Sequence, residues 1–133
     1  PLVNETACGP DFYEEAKKSG HYIELDPSMS MEEAKEYANK MDVLYTDTWV
    51  DMEFFNNPAY QKQKEETLAK MMPYQLNGDF TKDSKAIVFH DMPMHVGFEI
   101  SQDVVDKNLD HILDEAENRR HAEKAVMYTL LNS

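Results

Sequence analysis

The sequence has little cysteine and little glycine, and these shortages exclude several kinds of protein. Cys8 is the only cysteine among the 133 residues, so no disulfide can form within the chain, and we expect a reducing compartment, the cytoplasm. The four glycines include no GxGxxG turn of the kind that opens a dinucleotide-binding unit. No apolar run approaches the roughly 20 residues of a membrane-spanning helix, and we expect no signal peptide.

Motifs of several catalytic classes are also missing. The chain contains no HExxH and no cysteine pair, so His90, Asp91 and His95 are not expected to hold zinc in spite of their proximity. It contains no GxSxG, which argues against a serine nucleophile. We therefore expect neither a metal nor a cofactor.

Basic residues are scarce as well. Asp and Glu number 26 against 13 Lys and Arg, which gives a formal net charge of −13. This charge argues against nucleic acid and anionic membranes as main partners, although a few arginines would still hold a small anionic substrate. Hydrophobic residues make up 41% of the chain, which predicts one globular domain with a modest core. Because Pro1 opens the chain without a methionine, we expect a processed, trimmed or longer polypeptide.

Strand patterns alternate with helix patterns along the chain. The predicted strands cover residues 21–25, 42–46, 86–90 and 111–114. Four strands with helices between them predict an α/β fold, a three-layer α/β/α domain with a parallel sheet of about four strands.

Helix starts are marked by capping and proline signals. Pro10 begins one helix, Ser30 with Glu33 forms a capping box for the next, and Pro58 begins a long third helix. Two short helices are predicted over residues 75–80 and 101–106, and an amphipathic helix over residues 117–131 closes the chain.

Polar side chains collect where three of the predicted strands end. Since the carboxyl ends of parallel strands meet at one edge of a sheet, where ligands bind, these groups are expected to face one crevice. The strand over residues 42–46 is followed by Asp47, Thr48, Trp49, Asp51 and Met52. The strand over residues 86–90 ends in His90 and is followed by Asp91 and Met92. The strand over residues 111–114 is followed by Glu115, Glu117, Asn118, Arg119 and Arg120.

Each candidate residue also has a structural explanation. Arg119 falls at the predicted start of the last helix, where the helix dipole disfavours a cation, so a bound phosphate or carboxylate would account for it. It could instead pair with Glu115 or Glu117. Asp51 could be a helix N-cap, and His90 could be a strand-end histidine bonded to a carbonyl.

Four segments resemble motifs of one family, the ornithine carbamoyltransferases. Residues 45–50 (YTDTWV) resemble the start of their YTDxWxSMG, and residues 73–77 (PYQLN) resemble PYQVN. Residues 90–99 (HDMPMHVGFE) resemble HCLPAHRGEE, and residues 114–125 (DEAENRRHAEKA) resemble DQAENRLHAQKA. The motifs occur in the family's order and at nearly its spacing, so the resemblance is specific.

The resemblance implies a transferase that moves a carbamoyl group from carbamoyl phosphate to an amine, as in arginine metabolism. Such enzymes have two α/β domains and form trimers. This chain resembles only the second, Rossmann-like domain, which binds the amine substrate. The S-T-R-T-R loop of the carbamoyl phosphate domain is absent from the sequence, so residues 1–133 are expected to be one incomplete domain that is inactive alone.

Site residues follow from the same resemblance. Asp47 matches the aspartate that holds the substrate ammonium group, and Met52 matches the methionine of a loop that closes over the substrate. Met92 would offer its backbone carbonyl to the carbamoyl amine, and Arg119 matches an arginine that contacts carbamoyl phosphate. Counted by role, the predicted catalytic residues are Asp91, Met92 and Arg119, and the predicted substrate-binding residues are Asp47, Asp51, Met52 and His90.

Three positions depart from the family pattern. The Ser of SMG is Asp51 here, the next Gly is Glu53, and the Cys of HCLP is Asp91. These carboxylates would repel the carboxylate of an amino-acid substrate. The acceptor is therefore expected to be an ornithine-like amine or a diamine. In preference to L-ornithine itself, we expect a more cationic amine, such as a diamine, or an acceptor outside the known set. Asp91 could instead be neutral, with its pKa raised by Asp47.

Two other interpretations stay open. A non-catalytic relative, which serves as a binding or assembly module, would explain the missing loop and the Cys-to-Asp change. A generic flavodoxin-like or response-regulator-like module would fit the strand pattern but leaves the four motifs unexplained.

Overall fold

The centre of the molecule is a pair of parallel strands. The structure, a computed structural model, describes residues 9–25 and 28–133. Strand β1 (Val43–Tyr45) pairs with β2 (Ile87–Phe89), and Leu44 lies opposite Val88. Both strands consist of large apolar side chains, which favour extended backbone. The predicted strands at these positions are confirmed.

The described residues also form five α-helices, and the second of these begins at its predicted cap. Ser30 accepts a hydrogen bond from the Glu33 N–H at 3.3 Å, and the Glu33 side chain accepts from the Ser30 N–H at 2.9 Å, which is the predicted capping box. The helices are α1 (Pro10–Lys18), α2 (Met31–Ala38), α3 (Met52–Phe55), α4 (Gln61–Met71) and α5 (Gln102–Leu131), and short 3-10 helices cover Pro58–Tyr60 and Met72–Tyr74.

The core lies between β2 and the first half of α5. Its buried members are Leu76, Phe80, Val88, Ile100, Val104, Val105 and Ile112. Asn108 joins the two elements, because its side-chain oxygen accepts from the Val88 N–H at 3.0 Å. This bond satisfies a strand N–H that no other strand of the described residues reaches, and it ties α5 to β2.

The last part of the chain is one helix, where the sequence pattern predicted three elements. The strand predicted over residues 111–114 is wrong, since those residues lie inside the 30-residue helix α5. The helix predicted to begin at Glu117 therefore has no separate start. Core positions Val104, Val105, Asn108 and Ile112 recur at helical spacing. From Glu117 to Ser133 every residue is exposed.

Two other local predictions are also wrong. Residues 21–25 form no strand and all five are exposed, so their alternation has no buried face to match. Residues 75–80 form no helix, because the Asn77 side chain accepts from the N–H groups of Asp79 and Phe80 at 3.1 and 2.9 Å and makes a turn. Pro27, which follows residues 21–25 closely, lies outside the described residues.

The predicted combination of helices with a parallel sheet is confirmed, but the sheet has fewer strands than predicted. The sheet of the described residues has two strands rather than four, and the predicted three layers are not found there. Within residues 9–25 and 28–133, no helix is both long enough and apolar enough to cross a membrane.

Candidate functional site

Acidic groups meet at the carboxyl ends of the two strands. Asp47 lies two residues after β1, and Asp91 lies two residues after β2. Parallel pairing brings these strand ends side by side, so the charge of Asp47 acts on the Asp91 carboxyl. Asp47 also accepts from the Thr48 N–H at 2.6 Å, which orients one of its oxygens.

The close carboxyls change how nearby groups titrate. Partial burial, followed by the negative charge of Asp47, raises the pKa of Asp91 above its ordinary value. Partial burial also raises the pKa of Tyr45, and the charges of Asp91, Glu115 and Asp47 add to the effect. The strand ends therefore form a strongly electronegative edge that favours a cation.

Asp91→Asn is expected to stabilise the folded protein at neutral pH. The folded pKa of Asp91 lies above its unfolded value, so the stability of its protonated form is present below the unfolded pKa and is lost as pH rises through the folded pKa. Asn imitates the protonated acid and does not suffer this loss. Thermal unfolding of the intact protein should show a higher Tm for the variant at about pH 7 and a smaller difference at about pH 4.

The control for that experiment is Asp83→Asn in an exposed turn. It should leave the pH dependence of Tm as in the original protein. An Asp91→Asn variant whose Tm differs from the original by the same amount at both pH values would contradict a raised pKa of Asp91 in the folded protein.

A cleft beside Asp91 is closed on its other side by α5. Its volume is about 520 Å³, and it is lined by Asp91, Glu115, Ala116, Asn118, Arg119 and Ala122. Arg119 is 73% exposed and its Nε donates to Glu123 at 3.2 Å. Arg119 is in the middle of α5 rather than at a helix start, so the argument from the helix dipole is wrong. Its other guanidinium nitrogens still provide donors at the cleft.

A buried polar pair lies beneath the strand end. His90 and Glu99 are both 0% exposed, and His90 Nε2 lies 3.3 Å from Glu99 Oε1. The Met92 N–H donates to His90 Nδ1 at 3.0 Å. Glu99 Oε1 also accepts from the His95 N–H. Neither ring nitrogen of His90 is therefore open to solvent.

Met92 has an unusual backbone conformation. Its φ is 55°, in the left-handed region that non-glycine residues seldom occupy, and a cis peptide bond links it to Pro93. The side chain is 37% exposed. Such a residue is commonly found at a functional site, where its surroundings hold it in place.

The segment after β1 carries the other predicted residues. Asp51 is at the N-cap position of α3, but its side chain makes no capping hydrogen bond. Met52 begins α3 and is 50% exposed. Among the described residues, neither belongs to the lining of the cleft. Phe55, on the same helix, stacks on His95 with ring centroids 3.7 Å apart, so α3 contacts the loop that follows Met92.

Sequence reasoning missed two residues of this region. Glu99 lies between Phe98 and Ile100, and a carboxylate within an apolar run was the signal that it would be buried. Tyr45 ends β1 next to the carboxylates. In the part of the chain that the structure describes, no three His, Cys, Asp or Glu side chains are arranged to hold a metal ion.

The sequence matches one family over nearly its whole length. Residues 3–130 match the model described as aspartate/ornithine carbamoyltransferase, Asp/Orn binding domain. The ornithine carbamoyltransferase of Chlorobaculum tepidum is 40% identical over 99 residues, 73% of this chain and 28% of that protein. That of Methanospirillum hungatei is 33% identical over 130 residues, 96% of this chain and 39% of that protein. The chain thus spans less than half the length of either relative.

Solved structures give the same result. The anabolic ornithine carbamoyltransferase from Campylobacter jejuni superposes with a TM-score of 0.72 at 27% identity, over 97% of this chain and 41% of that chain. The ornithine carbamoyltransferase from Pyrococcus furiosus superposes with a TM-score of 0.58 at 35% identity, over 70% of this chain and 28% of that chain. The resemblance predicted from four sequence motifs is confirmed.

Proposed function

Because the chain belongs to the aspartate/ornithine carbamoyltransferase family, we propose that it is the acceptor-binding part of an enzyme that transfers a carbamoyl group from carbamoyl phosphate to an amine. The observation that supports this most is the cleft that Asp91 and Arg119 both line, next to the strand end that Asp47 follows. Anionic groups for the amine lie on one side, and a cation for the phosphate lies on the other. The relatives are named for ornithine, which makes an amine the first acceptor to test.

The chemistry needs orientation more than reactive side chains. The neutral amine nitrogen attacks the carbonyl carbon of carbamoyl phosphate, the bond from that carbon to the phosphate oxygen breaks, and phosphate leaves. The amine loses one proton in the process. An enzyme accelerates this reaction by aligning the two substrates and by stabilising the charge that develops on the carbonyl and phosphate oxygens.

Three residues suit these tasks. Asp47 would hold an ammonium group of the acceptor through a charge-assisted hydrogen bond. The backbone carbonyl of Met92 would accept a hydrogen bond from the carbamoyl amine. Arg119 would bind phosphate oxygens through its guanidinium fork. His90 was predicted to bind substrate, but its complete burial favours a role through its neighbours instead.

The acceptor class depends on the carboxylates near the predicted amino-acid end of the pocket. We propose that Asp91 and Asp51, the latter next to Met52 at the start of α3, favour a diamine over L-ornithine. The second ammonium group of a diamine would be attracted to these carboxylates, whereas the carboxylate of ornithine would be repelled. Asp51 is free to take this role because its side chain makes no capping bond within α3.

An acceptor screen on the intact protein tests both the activity and the acceptor class. With carbamoyl phosphate present, we expect kcat/KM for 1,4-diaminobutane to exceed that for L-ornithine about 10-fold or more. The matched variant Asp51→Ser, which introduces the residue of the SMG motif, should reduce this preference. If ornithine reacts faster than every diamine tested, the proposal of a diamine acceptor is wrong.

A non-catalytic role is the second candidate. The Asp at position 91 favours it, whereas Asp47 and Arg119 favour an enzyme. Failure of the intact protein to transfer the carbamoyl group to any amine, together with failure to bind carbamoyl phosphate, would support a binding or assembly module.

Assembly is part of the same proposal. The carbamoyl phosphate site is expected on another domain or chain that carries an S-T-R-T-R-like loop, and this chain alone is expected to be inactive. We also propose a trimer-based homo-oligomer in the cytoplasm that serves arginine metabolism. The single cysteine is consistent with that compartment.

A further inference from the structure

The pair formed by His90 and Glu99 is difficult to explain as core filling. Both side chains are 0% exposed, and the second carboxylate oxygen, Glu99 Oε2, is buried without a hydrogen-bond partner among the described residues. Removing two polar side chains from water costs free energy, and apolar residues of similar volume often stabilise a core equally well or better. A role other than stability is therefore indicated for the pair.

The hydrogen bonds define which nitrogen of His90 carries the proton. Met92 donates its N–H to His90 Nδ1, so Nδ1 acts as an acceptor and has no hydrogen. The proton of the neutral ring is then on Nε2, which donates it to Glu99 Oε1. Glu99 is itself held by the His95 N–H. The imidazole is thus fixed at both ends.

This arrangement acts directly on Met92. Holding the Met92 N–H fixes the peptide group between Asp91 and Met92, and it supports the φ of 55° that Met92 would seldom adopt alone. We propose that His90 is a positioning residue that sets the direction of the Met92 carbonyl, and that Glu99 holds the His90 ring in the tautomer this requires. This inference rests on the proposed function, in which that carbonyl binds the carbamoyl amine.

Two substitutions of His90 separate its two hydrogen bonds. In His90→Asn the side-chain oxygen can replace Nδ1 and accept from Met92, whereas the bond to Glu99 is lost. In His90→Gln the longer amide can replace Nε2 and donate to Glu99, whereas the bond to Met92 is lost. The substitutions remove the same ring, so a purely structural role predicts similar losses in both.

We expect His90→Gln in the intact protein to lower kcat about 100-fold, because a misplaced contact group weakens alignment of the carbamoyl group. His90→Asn should stay within about fivefold of the original kcat, and the KM for the acceptor should change little in either variant, because Asp47 is intact. Equal losses of kcat in the two variants, or a larger loss in His90→Asn, would overturn the positioning role.

A second measurement does not depend on turnover. Nitrogen-15 NMR of the imidazole should find the proton of His90 on Nε2 and a hydrogen-bonded, unprotonated Nδ1 at about pH 7. A proton on Nδ1 would overturn the inference even if the variants rank as expected. An original protein that transfers no carbamoyl group refutes the proposed function, and with it the catalytic role of the pair. An active protein with equally impaired variants refutes only the positioning role.

Discussion

Asp47→Asn is expected to lower kcat/KM for the acceptor amine by about 30- to 1,000-fold, which corresponds to about 2–4 kcal/mol. The amide keeps the shape of the side chain but removes the charge that would hold an ammonium group. Because Arg119 and the Met92 carbonyl are unaffected, the KM for carbamoyl phosphate should remain within about twofold of its original value. Steady-state kinetics with each substrate varied in turn would measure both effects.

Strand β1 supplies the control for this variant. Asp42 precedes β1 and is exposed at the opposite end of the strand from Asp47, so Asp42→Asn should leave both kinetic constants nearly unchanged.

Asp91 complicates the result, because loss of the Asp47 charge makes the Asp91 carboxyl easier to ionise. A partial loss in Asp47→Asn that becomes complete in the double variant with Asp91→Asn would show that the two carboxylates share the task. Retention of full acceptor kcat/KM in the double variant would contradict it.

Asp110→Pro is expected to destabilise the protein by about 3 kcal/mol or more, a large part of the 5–15 kcal/mol typical of a folded domain. Asp110 is exposed and lies within α5, so proline there would remove a backbone hydrogen bond and collide with the preceding turn. Urea unfolding of the intact protein would measure the change in the free energy of unfolding.

The control, Asp110→Ala, removes the same carboxylate without harm to a helix, and it should be neutral or slightly stabilising. The comparison also decides between the continuous helix and the loop and strand that the sequence pattern predicted around residues 111–114. A proline variant that is as stable as the alanine variant would contradict a continuous α5.

Local signals were sufficient to predict the elements that determine the strand edge. The apolar runs at β1 and β2 and the capping box of Ser30 with Glu33 are complete within a few residues, so they could be recognised without tertiary context. Asp47 and Asp91 each lie two residues beyond the end of one of those strands, so their positions could be predicted from the strand ends. Parallel pairing then accounts for their proximity.

The wrong predictions rest on sequence segments that were too short, or on segments whose structure depends on contacts with distant residues. His111 to Asp114 is apolar enough for a strand, and four residues cannot distinguish a strand from a buried turn of helix. The wider segment contained the missing signal, since no glycine or proline occurs between Gly97 and the end of the chain. The residues at 21–25 alternate, but alternation produces a strand only where one face is buried. The orientation of Met92 depends on His90 and Glu99, whose contact needed the fold.

The exposed second half of α5 has a consequence for the rigidity of the cleft that it borders. From Glu117 onward the helix is exposed on all sides, with Val126, Tyr128, Leu130 and Leu131 between 58% and 85% exposed. A helical segment of this length without burial is only marginally stable in water. Its amides are therefore expected to exchange with solvent deuterium far faster than those around Ile112, which open only with the core. Arg119 lies just inside this weakly held segment, so the side of the cleft that Arg119 lines is preorganised only to the extent that something covers the helix.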